Sequence, residues 1–167
     1  ITQPNDRSDS QQLRLESDRN LVRVVTIHKS KGLEYPLVWL PFICGFRQQN
    51  QALYHDRETF SAMLDLQQSE DSLTLAEEER LAEDLRLLYV ALTRSVYHCS
   101  IGITPLYSGN RRQGNSDIHR SAMGYLLQRG QPGNAAFLAD ALQELGQHDG
   151  IQWYSATEMD AALWQDN

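Results

Sequence analysis

The sequence predicts an α/β layer built on a largely parallel sheet. Three observations predict it: two apolar, strand-like runs at 21–27 and 37–43, a long leucine-striped helix at 75–93, and an alternating strand at 97–103 directly after it. Strand, strand, helix, strand is the order in which a crossover helix covers a parallel pair. A chain of 167 residues, 41% apolar and 22% charged, has the balance of one ordinary globular domain and not of a disordered segment.

Residues 1–20 are polar, with Asp6-Arg7-Ser8-Asp9-Ser10 among them, and read as a linker or the end of an inserted subdomain. Leu21–Ile27 turns β-branched and reads as a strand. His28–Tyr35 is a polar, glycine-containing turn. Leu37–Ile43 is almost continuously apolar, as a strand buried on both faces would be, and Trp39 is expected in the core. Residues 52–66 read as a hairpin turning at Asp56-Arg57-Glu58, and 69–75 as a loop. The helix at 75–93 carries Leu81, Leu85, Leu88 and Leu92 on one stripe, with glutamates in its opening turns and Arg94 at its end. After the strand at 97–103, stopped by Thr104-Pro105, come a Gly/Arg-rich loop at 108–116, helices near 117–130 and 134–146, and a short strand at 151–154.

The formal net charge of -7 excludes a surface that binds nucleic acid everywhere, but the charges are segregated. Arg19, Arg23, Lys29 and Lys31 cluster with His28, whereas eight acids between Asp65 and Asp84 face Arg80 alone; the acidic stretch reads as a solvated helix face. No apolar run is long enough to span a membrane, and the first residues have no signal-peptide character. The absence of an initiator Met reads as a chain cut from something longer. Cys44 and Cys99 are isolated, His55, His98, His119 and His148 are scattered, and no metal site is expected; a reducing, cytoplasmic setting fits.

Two segments concentrate the chemistry. One is Val25-Thr26-Ile27-His28-Lys29-Ser30-Lys31-Gly32-Leu33-Glu34-Tyr35, and the other is Glu83-Asp84-Leu85-Arg86-Leu87-Leu88-Tyr89-Val90-Ala91-Leu92-Thr93-Arg94-Ser95. The first sets His28, Lys29 and Lys31 at a strand end, where open parallel sheets bind ligands, and Gly32 there permits close backbone approach. The second places Arg94 about 180° around the helix from Leu85, turned away from the leucine stripe and free to reach outward.

These segments resemble motifs V and VI of superfamily 1A helicases of the UvrD/Rep type, in order and in separation. Tyr35-Pro36-Leu37-Val38-Trp39-Leu40-Pro41-Phe42 and the hairpin's Tyr54-His55-Asp56-Arg57 bring the resemblance closest to the helicase–nuclease branch, the motor subunits of bacterial exodeoxyribonuclease V. It implies that residues 21–105 are part of a second RecA-like domain, of the P-loop NTPase type, with helical additions behind it. Residues 106–167 would then form a connector toward a nuclease domain. The implied activity is ATP-driven unwinding and degradation of double-stranded DNA ends in recombinational repair. The implied partners are ATP with Mg2+, a DNA single strand, and the RecC and RecD subunits, in the bacterial cytoplasm.

By the same resemblance Thr26 and His28 touch the DNA backbone, with Lys29 and Lys31 beside them. Glu34 contacts the nucleotide sugar near Gly32, and Arg94 reaches the γ-phosphate as an arginine finger. A guanidinium suits that role because it stays charged and offers a fork of donors. Arg86 is a second nucleotide candidate, with a salt bridge to Glu83 as the equal alternative. Plainer readings of Arg94 and of the 28–34 turn are a dipole-complementing arginine and a basic surface turn. No Gly-x-x-x-x-Gly-Lys-Ser/Thr run occurs to hold a triphosphate, so this chain alone is expected to hold neither ATP nor Mg2+ and to be inactive. Two rivals remain: a non-catalytic helicase-like docking module, and an AddA- or UvrD-type motor without the companion subunits.

Overall fold

A computed structural model describes residues 21–155. The expected linker at 1–20, and the connector beyond 155 with Trp164, lie outside the described residues. Strand β1 (Tyr35–Leu40) leads into a hairpin of β2 (Leu53–His55) and β3 (Ala62–Leu64), then helix α1 (Glu70–Leu92) and strand β4 (Ser95–Ile101). A 3-10 turn at Ile118–Arg120 precedes helices α2 (Ala122–Gln128) and α3 (Ala135–Leu145). β1 and β4 pair in parallel, joined by the crossover that the α/β reading requires, while β2 and β3 pair antiparallel in a sheet of their own.

The parallel register slips by one residue between Tyr35↔Ser95 and Leu37↔His98. Pro36 sits at the slip, and a proline has no N–H to give the ladder. Helix α1 begins five residues earlier than its leucine stripe suggests, because Ser69 caps it by accepting from Ser72 N at 3.4 Å, and Glu70 and Asp71 occupy its first turn. The loop expected at 69–75 is therefore mostly helix.

The core lies between α1 and the C-terminal helices. Leu88, Cys44, Ile118, Ala122, Met123 and Leu138 form its buried centre, and Leu85, Leu92, Ile43, Ile103, Leu106, Leu127 and Leu142 close around it. Leu85, Leu88 and Leu92 of the predicted stripe thus face the core, and Leu81 instead lines an open groove with Leu73 and Glu70.

Three expectations need correction. Residues 21–26 form no strand and are exposed, because nothing among the described residues pairs with them. The 37–43 run is not buried on both faces: Leu37 and Trp39 are 70% and 75% exposed. They point to one side of a sheet that has only two strands here, and no described element covers that side. The core contacts come just past the strand end, from the half-buried Ile43 and from Cys44, buried immediately after the run. Residues 151–154 likewise form no strand; the turn before them closes with Ile151 N donating to His148 O at 3.1 Å.

Candidate nucleotide and DNA interface

The turn before β1 is organised from within. Ile27 leads into a 3-10 turn at His28–Ser30. Ser30 is buried and its hydroxyl donates to Ile27 O at 2.7 Å, while its N–H donates to Thr26 O and Ile27 O, each at 3.1 Å. The Thr26 hydroxyl accepts from Lys29 N at 3.4 Å. With Ser30 turned inward, His28, Lys29 and Lys31 are left exposed around it. Gly32 follows at φ +81°, a left-handed value that L side chains rarely adopt, although a Cβ there would meet no atom within 4 Å. The glycine is needed for the backbone path alone. Leu33 N donates back to Ser30 O at 3.0 Å, and Glu34 stands exposed at the mouth of β1.

Arg94 lies two residues beyond α1 and binds this turn. Its Nε donates to Val90 O at 3.0 Å, its Nη2 to the Thr93 hydroxyl at 3.1 Å, and its Nη1 to Leu33 O at 2.9 Å. Its own carbonyl accepts from Tyr35 N at 2.9 Å. In this structure the guanidinium folds back over the helix end and the turn, and does not extend outward as a continued helical wheel would place it. Past Leu92 the chain no longer follows 100° per residue. Gly32, Glu34 and Arg94 are brought to one end of the β1–β4 pair, adjoining Thr26, His28, Lys29 and Lys31. Arg86 is not part of that group: it sits two turns back along α1, where its Nε pairs with Glu83 at 3.0 Å. Among the described residues no group of three or more His, Cys, Asp and Glu could hold a metal ion.

The pattern of the UvrD-like helicase C-terminal domain matches residues 6–98, more than half of the chain. The chain belongs to that family.

Its relatives narrow the comparison. RecBCD enzyme subunit RecB of Escherichia coli K12 is 57% identical over 168 aligned positions, covering 100% of this chain and 14% of the relative. The RecB subunit of Buchnera aphidicola from Schizaphis graminum is 46% identical over 132 positions, 78% of this chain and 11% of the relative. The RecB subunit of Haemophilus influenzae Rd is 39% identical over 134 positions, 78% of this chain and 10% of the relative. The chain thus spans about a seventh or less of the length of the relatives it matches.

Sequence reasoning passed over two features of this UvrD-like domain. One is Thr93, whose hydroxyl donates to Tyr89 O at 2.8 Å and receives Arg94, a role signalled only by its place inside the second motif. The other is a knot at the middle of α1. Arg80, its side chain 7% exposed, donates through Nε and Nη2 to the two Glu77 oxygens at 3.1 Å, pairs with Asp84, and gives Nη2 to Arg120 O at 2.8 Å. Arg120 reaches Glu77 at 2.9 Å and Gln48 Oε1 at 3.1 Å. The Phe46 ring lies 5.4 Å from the Arg80 guanidinium and 5.2 Å from that of Arg120, within cation–π range of both. Burial pushes the Glu77 carboxyl up, but the Arg80, Gln49 and Arg120 donors outweigh it and leave it below the usual range. The i, i+3 and i+4 spacing of Glu77, Arg80 and Asp84 was a readable signal; Phe46 and Arg120 join only through the fold.

Proposed function

We propose that this chain is part of the motor of a RecB-type helicase–nuclease subunit, supplying the arginine finger and part of the DNA grip. The parent protein would unwind and degrade double-stranded DNA ends in recombinational repair, driven by ATP with Mg2+, together with RecC and RecD. Residues 21–105 belong to its second RecA-like domain, and 106–167 form the connector toward a nuclease domain. The bacterial cytoplasm is the expected setting, and no helix among the described residues is long and apolar enough to cross a membrane.

The observation that carries this reading is the 2.9 Å bond from Arg94 Nη1 to Leu33 O, which joins the two motif segments across 61 positions of sequence. In the roles proposed, Arg94 stabilises charge on the γ-phosphate, Glu34 and Gly32 meet the nucleotide, and Thr26, His28, Lys29 and Lys31 hold the strand. Arg86 serves the nucleotide at most indirectly, given its pairing with Glu83. Mg2+ and the triphosphate would be held by a phosphate loop elsewhere in the parent, since this sequence has none.

The test is Arg94→Ala in the full-length protein. A charge that acts on the transition state should, when removed, lower turnover far more than nucleotide affinity. Arginine fingers are worth roughly 10³–10⁵ in rate, so ATP turnover should fall about a thousandfold or more while the Kd for a non-hydrolysable analogue moves only a few-fold. Turnover that survives the substitution sinks the finger assignment.

A further inference from the structure

We propose that the open groove along the first half of α1 docks a companion subunit, through a basic segment that carries leucine-sized side chains. This rests on the reading above of the chain as part of one subunit of a larger enzyme. The stripe that builds the core does not stop where the core stops. Leu85, Leu88 and Leu92 pack in or against the core, but Leu81, one turn earlier on the same face, lines the groove instead. Leu73, a little over two turns before Leu81, lines it as well. Both leucines are half-buried. Arg120 of the knot forms the opposite wall with Gln48 and Gln49, which leaves a groove of about 430 Å³. That lies within the range of roughly 300–1,000 Å³ in which pockets hold a ligand.

The leucines make the groove apolar, and its rim is acidic. Glu70, Glu77 and Glu78 line it against one cation, Arg120. Arg120 is already bound to Glu77 and to Gln48 Oε1, and Arg57 of the hairpin is bound to Glu78 at 2.5 Å. Among the described residues the Glu70 carboxylate meets no cation, and Asp71 beside it is exposed as well. Such a rim repels phosphate, so neither a nucleic-acid strand nor an anionic lipid surface fits it. A protein segment with Lys or Arg flanking an apolar side chain does fit. Its cations are steered to the rim, and its apolar side chain covers Leu73 and Leu81, giving an apolar centre with a polar border. In the reading above the parent works with RecC and RecD, and one of these companion subunits carries the segment.

The experiment uses the full-length protein, with RecC and RecD immobilised in turn. Association and dissociation rates are followed at low and high salt, and melting and ATP turnover are measured in parallel. Leu81→Gln removes the apolar anchor but keeps a good helix former. One companion subunit should then dissociate about tenfold faster or more, as when an interface anchor is lost. Glu70→Lys reverses an exposed rim charge, so association should slow several-fold at low salt, with the difference shrinking at high salt. Turnover should stay at the wild-type level in both variants. Wild-type rates in both variants overturn the docking site and leave the companion-subunit reading standing. A Leu81→Gln protein that melts early yet binds each subunit as before also overturns it, because the parent's own chain then fills the groove. Where Leu81→Gln both melts early and dissociates faster, Glu70→Lys decides: slower association supports the site, and unchanged association overturns it. A wild-type protein that binds neither subunit overturns the site together with the reading on which it rests.

Discussion

Asp65 closes the entrance to α1 with one carboxylate. It accepts from Ser69 N at 3.0 Å, the Ser69 hydroxyl at 2.6 Å and Gln67 N at 2.9 Å. The Ser69 hydroxyl bond first, then the backbone N–H bonds, push its pKa from 3.8 down to about 2. A carboxyl depressed in the folded state adds stability that is present above its unfolded pKa and lost as pH falls through the folded one. The urea midpoint of this chain should therefore fall between about pH 4 and pH 2, more steeply than in Asp65→Asn. Parallel acid profiles for the two proteins would remove Asp65 from that role. Single residues were legible in the sequence where a local rule places them. Arg86 could be narrowed to Glu83 or a ligand from its i−3 neighbour, and the 3.0 Å pair confirms the first contact. Arg94 was legible as a residue but not in its pose, because its acceptor at Leu33 comes from a segment 61 positions away.

At the level of elements, helices were read more surely than strands. The α1 stripe repeats locally and the helix satisfies its own backbone bonds. A strand exists only if another strand lies beside it, so the β-branched run at 21–27 could not be settled from its own residues. The hairpin of β2 and β3 was recognisable because both partners are close in sequence. Helix α2 holds a detail that no propensity scale contains. Alanine normally gains up to about 1 kcal/mol over glycine inside a helix, yet a Cβ on Gly124 would lie 1.9 Å from Ile118 O and 2.4 Å from its carbonyl carbon. Both are backbone atoms and cannot rotate away. Gly124→Ala should therefore destabilise the chain, by about 1–3 kcal/mol as overpacking does, and lower its melting temperature. A rise in melting temperature would mean that the 118–120 turn moves aside at little cost.

For the molecule as a whole, the open face of the β1–β4 pair matters most. Leu37 and Trp39 stand there largely exposed, and apolar patches of this kind favour association. Replacing both, Leu37→Thr with Trp39→Thr, should leave folding stability within about 1 kcal/mol, since exposed positions contribute about 0.5 kcal/mol each. Sedimentation of this chain at rising concentration should then show less self-association than the wild type; equal association would place the sticky surface elsewhere. The global α/β order was legible because the apolar runs and the long helix follow one another in sequence, and the open face of the sheet was not, because a nearly continuous apolar run at 37–43 reads as packed on both faces. Helix α1 has 23 residues and is therefore about 35 Å long. The knot of Arg80, Phe46 and Arg120 seizes it near its middle, and Arg94 follows its C-terminal end, with Arg80 and Leu92 about 18 Å apart along the axis. A rod so held behaves as a lever: a tilt of about 3° at the Arg94 end displaces Arg80 by about 1 Å over that span. Hydrogen bonds tolerate only a few tenths of an ångström before weakening, so the α2–α3 end of the molecule must travel with the helix or break its grip on it.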